Sequence, residues 1–303
     1  MKKSHIAIIA ACAFGLFFYP GEHFFYRFEQ MNENAFSSPS SLPHLKLPIP
    51  AVKEDAKPLK VSADGVYVVE RNTFTVVYKK NEDKKLYPAS TTKIITALTT
   101  IRNHKLDDVI KVKVATDEGQ VMGLVPDEKM SVENLLYGML VHSANDAAFA
   151  IANADDDFPG FINKMNETAR ELGMKNSHFT NPAGLDEQDL TTTPHDLALA
   201  AKALLDNPTL RRMVSVKEIT VLDEDYKITH KLANVNELLG EVEGLGGVKT
   251  GYTEAAGENL VSYYKTPFTA HEYIIVVMKS SDRFQDTKNI TNWITYNIDY
   301  LTP

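Results

Sequence analysis

Ser90 and Lys93 have the residue types and the spacing of a nucleophile and its base. They lie in the segment YPASTTKIITALTT, residues 87–100, at the head of a predicted helix. A serine hydroxyl needs a base within hydrogen-bond reach, and residues i and i+3 share one face of a helix. A desolvated lysine can act as that base, and N–H groups at a helix start can stabilise an oxyanion. The alternative is that Ser90 caps the helix and Lys93 is a solvated surface charge, because Ser-x-x-Lys is frequent by chance.

A second pair of polar residues, Ser143 and Asn145, lies in the segment HSANDAA between two predicted helices. In a functional interpretation, the Ser143 hydroxyl relays a proton and the Asn145 amide holds Lys93 and a substrate carbonyl. In a structural interpretation, Ser143 and Asp146 form a capping box. Both can hold together, because a capped helix start is a rigid place to mount a polar side chain.

A third motif, Lys249, Thr250 and Gly251, lies in the segment GGVKTGYT. On a strand, Lys249 and Gly251 would point the same way and Thr250 the opposite way. Glycine lets a substrate backbone come close to a strand edge, where an extended peptide could add by backbone hydrogen bonds, with Lys249 supplying positive charge. The alternative is a plain turn with a surface lysine.

The elements that must position these residues can be predicted from the hydrophobic pattern. Residues 66–80 predict a hairpin around Arg71 and Asn72, and a helix begins near Thr91. Further helices are predicted over 132–142, 145–154, 158–173, 194–207 and 287–301, and strands over 259–265 and 272–280. Strands at both ends of a helical middle region predict an α+β domain, in which terminal segments share one antiparallel sheet packed by helices.

The composition limits the partners of the protein. Its 303 residues carry a net charge of −8, with no conspicuous cluster of Lys and Arg, so we expect no nucleic-acid partner. We also expect no cofactor and no metal site, since the segment HEYII at 271–275 lacks the second histidine of a metal-binding helix.

The N-terminus has the pattern of an export signal. Lys2 and Lys3 precede an apolar run over 6–18 that contains Cys12, the one cysteine of the chain. We expect residues 1–20 to be a signal anchor or signal peptide and residues 21–58 to be a spacer, rich in Pro and Ser, before a domain over 59–303. No small-x-small cleavage site follows closely, so an uncleaved anchor is favoured over a cleaved signal peptide. Because the apolar run continues past Cys12, lipid attachment at this residue is disfavoured.

Taken in order, the three motifs match a known set. Ser-x-x-Lys, Ser-Asp-Asn and Lys-Thr-Gly mark penicillin-binding proteins and class A β-lactamases; here the middle motif is Ser-Ala-Asn, which lacks the carboxylate. From about Val61 to Leu301 the chain resembles the serine D-alanyl-D-alanine carboxypeptidases, the low-molecular-mass penicillin-binding proteins. The similar segments are YPASTTKIITAL, ENLLYGMLVHSANDAAFAIA, HFTNPAGLDE and GGVKTGYTEAAGENLV.

This resemblance implies a β-lactamase/transpeptidase-like fold and removal of the terminal D-alanine from peptidoglycan stem pentapeptides through an acyl-serine. β-Lactams would be covalent inhibitors. It implies a bacterial enzyme acting outside the cytoplasm, tethered to the membrane by the N-terminal segment or secreted. By position, Ser90 would be the nucleophile, Lys93 the base, and Ser143 with Asn145 the second catalytic element. The substrate strand would comprise Lys249, Thr250 and Gly251, and the oxyanion hole the N–H groups of Ser90 and Tyr252.

Arg283 is a further candidate. A carboxypeptidase must hold a free carboxylate, and a guanidinium can grip one with two hydrogen bonds. Arg283 lies ten residues before Trp293, where the carboxylate-binding arginine of the family falls. The alternative is an exposed arginine at the start of the last helix.

Other functions stay open at this point. A β-lactamase would need a glutamate that holds a water, and EQDLT at 187–191 matches part of the expected pattern, although Glu187 also belongs to the carboxypeptidase segment. A D,D-endopeptidase would share the motifs. An inactive wall-binding scaffold is a non-enzymatic alternative, but the five central motif residues are all present.

Overall fold

A five-stranded antiparallel sheet forms the frame of the domain. The structure, a computed structural model, describes residues 48–113, 116–269 and 271–301. The sheet order is β3-β2-β10-β9-β8, so the N-terminal hairpin pairs with strands from the C-terminal part of the chain. The strands are β1 (Ile49–Val52), β2 (Gly65–Glu70), β3 (Val76–Lys80), β4 (Val109–Lys111), β5 (Lys129–Ser131), β6 (Glu218–Leu222), β7 (Thr229–Ala233), β8 (Leu245–Thr253), β9 (Gly257–Lys265), β10 (Glu272–Ser280) and β11 (Ile298–Leu301).

Helices occupy the middle of the chain and its C-terminal part. They are α1 (Lys93–Asn103), α2 (Val132–Val141), α3 (Asn145–Ala152), α4 (Phe158–Glu171), α5 (Pro194–Asp206), α6 (Pro208–Val214) and α7 (Arg283–Asn297). A 3-10 helix, Ala89–Thr92, leads directly into α1. The α+β class and the sheet shared by both ends of the domain are thereby confirmed.

Alternation along the strands gives the sheet two apolar faces. In β10, Ile274 and Val276 pack in a core with the central helices, while Ile275 and Val277 pack in a second core with α7. Successive side chains of a strand point to opposite faces. Because both faces of β10 are buried, its sequence is an almost continuous apolar run. The sheet is consequently a rigid central layer with helices on both sides.

Most predicted elements are confirmed. The hairpin forms between β2 and β3, and helices occur in each of the predicted ranges, with ends that differ by a few residues. The strand pairs β4–β5 and β6–β7 and the short helix α6 were missed.

Two predictions near the ends of the domain are wrong. The last predicted helix was extended to 301, but α7 ends at Asn297 and the next four residues form β11. β11 pairs with β1, Ile49 opposite Leu301, and β1 lies inside the predicted spacer over 21–58. The folded domain therefore begins about ten residues before the predicted start at 59, because β1 finds its partner at the far end of the chain.

The predicted signal anchor over 1–20, with Cys12, lies outside the described residues. Among the helices that are described, none is long and apolar enough to cross a membrane.

Candidate active site

The turn that carries Ser90 is held by hydrogen bonds from two sides. The Pro88 carbonyl accepts from the Thr91 hydroxyl at 2.7 Å and from the Asn259 amide at 3.0 Å. Ala89 has a φ of +47°, a left-handed conformation that costs a non-glycine residue roughly 1–2 kcal/mol. Among the described residues, neither the 3-10 helix nor α1 has a side-chain cap, so the alternative in which Ser90 merely caps the helix is wrong.

Lys93 lies beside the Ser90 hydroxyl and is completely buried. Its Nζ is 2.9 Å from Ser90 Oγ, 2.7 Å from Asn145 Oδ1 and 2.8 Å from the Ala183 carbonyl oxygen. The relative exposure of the residue is 0%, so it is not a solvated surface lysine. An ammonium has three N–H donors, and these three oxygens can occupy all of them.

The surroundings of Lys93 favour its neutral form. Burial and, after it, the nearby charge of Lys249 hold the pKa of Lys93 well below its usual range, and Asp146 partly opposes them. Removing water penalises the charged form of an amine, and a second cation adds to that penalty. A neutral Lys93 has a lone pair that can take a proton from Ser90.

Asn145 and Ser143 follow α2, at the start of α3. Asn145 accepts from Lys93 and donates to the Glu118 carbonyl at 2.7 Å, which fixes its amide between two elements. Ser143 is buried and has a φ of +63°, a second strained residue at the site. The N-cap of α3 is Ala144 without a side-chain hydrogen bond, so the predicted capping box at Ser143 is absent.

The carboxylate of Asp146 has a different role from the predicted cap. It accepts hydrogen bonds from the N–H groups of three consecutive residues, 122–124, at 2.9–3.0 Å. These bonds attach a loop beside the site to the start of α3. Asp146 thus supports the segment from which the Glu118 carbonyl fixes Asn145.

Lys249, Thr250 and Gly251 lie on β8, at an edge of the sheet. Lys249 is 2% exposed, and burial followed by the charge of Arg283 lowers its pKa to about 7. A Cβ on Gly251 would stand 3.0 Å from the Ser90 backbone nitrogen, so β8 packs tightly against the Ser90 turn at this residue. Tyr252 follows with 61% exposure. The third predicted motif therefore lies against the turn that carries Ser90.

Arg283 is the first residue of α7 and is half-buried. Its Nη1 donates to the Gly251 carbonyl at 2.9 Å, and its Nε is buried without a hydrogen-bond partner among the described residues. Desolvation lowers the pKa of the guanidinium below its ordinary value. The alternative of an exposed arginine is wrong, because the side chain is folded against β8.

Two polar groups of the site were missed by sequence reasoning. The Ala183 carbonyl binds Lys93, but a backbone carbonyl has no residue-type signature. Asn259 is completely buried, and its amide donates to the Tyr87 and Pro88 carbonyls at 3.0 Å each. In the sequence these two residues lie in the segments NPAGL and GEN, which belong to two of the longer segments that resemble the carboxypeptidase family.

The arrangement of the three motifs around Ser90 agrees with the family that the sequence matches. Residues 51–282 match the D-alanyl-D-alanine carboxypeptidase family, peptidase S11. The chain belongs to this family. The matched range contains the three motifs and ends one residue before Arg283.

Individual family members are similar over most of the described domain. D-alanyl-D-alanine carboxypeptidase DacF of Bacillus subtilis is 36% identical over 220 residues, 67% of this chain and 55% of that protein. DacA of Haemophilus influenzae is 29% identical over 251 residues, 78% of this chain and 62% of that protein. The chain thus spans little more than half the length of these relatives. The crystal structure of the Streptomyces K15 DD-transpeptidase superposes with a TM-score of 0.72 at 30% identity, covering 78% of this chain and 98% of that one.

Proposed function

We propose that the protein is a serine D-alanyl-D-alanine carboxypeptidase that removes the terminal D-alanine from peptidoglycan stem pentapeptides. The observation that carries this proposal is the 2.9 Å separation of Lys93 Nζ from Ser90 Oγ in a site without solvent around the amine. A buried amine of lowered pKa, next to a hydroxyl, is the arrangement that nucleophilic catalysis by serine requires. Family membership supports the same reaction.

In the first half of the reaction, Ser90 Oγ attacks the carbonyl carbon of the penultimate D-alanine while Lys93 takes the hydroxyl proton. The oxyanion is held by the N–H groups of Ser90 and Tyr252. The amide C–N bond then breaks, the departing amine of the terminal D-alanine receives a proton by way of Ser143, and an ester to Ser90 remains. In the second half, water attacks the ester, giving the free acid of the shortened peptide and regenerating the Ser90 hydroxyl.

The edge strand β8 is suited to hold the substrate. An extended peptide that adds to this edge would run past the Ser90 turn, with its backbone hydrogen-bonded to the strand. Lys249 and Thr250 would then meet the terminal carboxylate, and Arg283 would add positive charge from behind Gly251. Asn145 would hold the Lys93 amine and a substrate amide together.

β-Lactams should acylate Ser90, since they present a strained amide to the same nucleophile. The β-lactamase alternative is disfavoured by Glu187, whose side chain is exposed rather than buried beside Ser90.

For the location, we propose a bacterial enzyme outside the cytoplasm, attached to the membrane by residues 1–20 and separated from it by the segment that follows. This attachment is tested by fractionating cells that produce the protein with or without residues 1–20. The full-length protein should be in the membrane fraction, and the shortened protein should not.

Product analysis tests the activity. The protein should release one D-alanine per defined pentapeptide and form a long-lived adduct with penicillin. Rapid turnover of penicillin without a persistent adduct would instead identify a β-lactamase. Cleavage of a cross-linked dimer, without release of D-alanine from the pentapeptide, would identify an endopeptidase, and a lack of every reaction would leave a wall-binding scaffold.

A further inference from the structure

The loop over 181–185 presents a backbone carbonyl to the base of the site. Of the three oxygens around Lys93 Nζ, those of Asn145 and Ala183 can only accept hydrogen bonds, whereas the Ser90 hydroxyl can also donate. A neutral amine has two N–H groups and one lone pair. If the N–H groups go to Asn145 and Ala183, the lone pair points at Ser90, which is the orientation that proton transfer needs.

Asn181 holds this loop in shape. Its side-chain oxygen accepts from the N–H groups of Ala183 at 3.2 Å, Gly184 at 2.7 Å and Leu185 at 3.1 Å, and its amide donates to the Leu185 carbonyl at 2.9 Å. The residue is 1% exposed, so its own hydrogen bonds are not exchanged with water. One side chain therefore fixes the peptide units on both sides of Gly184.

The loop is also pressed against the turn that carries the nucleophile. Gly184 has a φ of +86°, and a Cβ there would stand 1.8 Å from the Ala89 carbonyl oxygen. Only a glycine fits both the conformation and the space. The distance from the Ala183 carbonyl to Lys93 is thus linked to the position of the Ser90 turn.

We propose that Asn181 is a positioning residue for the reaction: it holds the Ala183 carbonyl on Lys93 Nζ and thereby aims the lone pair of the base at Ser90. This inference rests on the proposed function. In this proposal Asn181 does not touch the substrate; it acts through the Ala183 backbone and Lys93. Two charged groups also act on Lys93, Lys249 from β8 and Asp146 from α3, and neither is altered by a change at Asn181.

The test compares the pH dependence of penicillin acylation in three variants. Acylation requires neutral Lys93, so its rate rises with pH along an acidic limb. In Asn181→Ala the loop loses its hydrogen bonds and the Ala183 oxygen leaves Nζ, so the plateau rate should fall about tenfold to a hundredfold. Loss of an acceptor that stabilises the ammonium should also move the acidic limb to lower pH. In Asn181→Asp the three N–H groups keep their acceptor, but a carboxylate near Lys93 should move the limb to higher pH.

Asn166→Ala is the matched control. Asn166 accepts from the Phe179 N–H at 2.9 Å and donates to the Phe179 carbonyl at 2.7 Å, so it supports the same segment without contacting Ala183. Its removal should lower the melting temperature but leave the acidic limb in place. The proposal is overturned if Asn181→Ala keeps the wild-type plateau rate and limb, or if Asn166→Ala shifts the limb equally. Should Asn181→Ala fail to fold, Asn181→Ser takes its place with the same expected outcome, because the shorter hydroxyl cannot accept from all three N–H groups. Failure of wild-type protein to acylate would instead refute the proposed function.

Discussion

The helix side and the strand side of the site each bury a lysine, but they hold it differently. Lys93, on α1, has three oxygens within 2.7–2.9 Å of its Nζ. Lys249, on β8, donates at 3.1 Å to the carbonyl of its own neighbour, Thr250. Both are nearly inaccessible to solvent, and burial lowers the pKa of both. The Lys93 amine is fixed in a single orientation. Within the described residues, the Lys249 amine makes one hydrogen bond and so has N–H groups left for a ligand.

This difference suits the two buried lysines to two different tasks. The amine that is fully bound by the protein can move a proton without moving itself, which suits a base. The amine with few protein contacts can turn toward an incoming carboxylate, which suits binding. The charge of Lys249 lowers the pKa of Lys93, so a cation on the strand side also helps to keep the amine on the helix side neutral.

The largest effect is expected for Lys93→Ala. This change removes the proposed proton acceptor of Ser90, and general base catalysis contributes typically about 10²–10⁴-fold. The rate constant of penicillin acylation should fall within that range, while the far-ultraviolet circular dichroism spectrum stays that of the wild type. Acylation at the wild-type rate would place the base elsewhere and remove the distinction between the two lysines.

A smaller effect is expected for Arg283→Ala, on the strand side. If its guanidinium helps to hold the terminal carboxylate, kcat/KM for a peptide acid should fall by an amount worth roughly 1.5–3 kcal/mol, with a smaller loss for the peptide amide. Measuring both substrates with both proteins gives a coupling energy that reports the carboxylate contact. Because Arg283 also binds the Gly251 carbonyl, part of the loss should be common to both substrates. Equal losses on acid and amide would make that structural contact its whole role.

The stability of Lys249→Met should depend on pH. In the unfolded chain the amine keeps its proton up to the ordinary pKa of 10.5, but in the folded protein it loses the proton near pH 7. Between these values the unfolded state binds more protons, so the wild type gains stability as pH rises, by up to about 1.4 kcal/mol per pH unit. Methionine carries no such cost. Lys249→Met should therefore be most stabilising at pH 7 and below and should lose that advantage toward pH 10.5.

Urea unfolding at several pH values between 6.5 and 9.5 measures this trend, with Lys175→Met at an exposed position as the control. A stability difference that stays constant over this range would mean that Lys249 is not desolvated in solution. The contrast with Lys93 would then be one of hydrogen bonding alone.

Local pattern was sufficient to predict α1, which follows Ser90, and the central strands of the sheet. The apolar spacing of Ile94, Ile95 and Leu98 predicted α1, and the β-branched runs of β2 and β10 predicted strands, because one or both faces of each are buried in a core. Burial is a local property of these segments, so it leaves a local pattern. The order of the three motifs then predicted that Lys93, Asn145 and Gly251 are grouped beside Ser90.

Pairing between distant segments left no such pattern. The residues of β11 continue the polar and apolar spacing of α7, and only their partner β1, more than 240 residues earlier, determines that they are extended. The Ala183 carbonyl was likewise unpredictable, since its position depends on the Asn181 side chain and on the close contact of Gly184 with Ala89. Tertiary contacts, rather than residue types, created both features.

The assignment of Ser90 as the nucleophile is tested by locating the covalent adduct that the protein forms with penicillin. After reaction and proteolysis, mass spectrometry should find the added mass on the peptide that contains Ser90, and Ser90→Ala should carry none. Lys93→Ala should show the same location at a much slower rate, because the nucleophile remains but its base is gone. An adduct on Ser143 or any other residue, or undiminished labelling of Ser90→Ala, would contradict the assignment of Ser90 as the nucleophile.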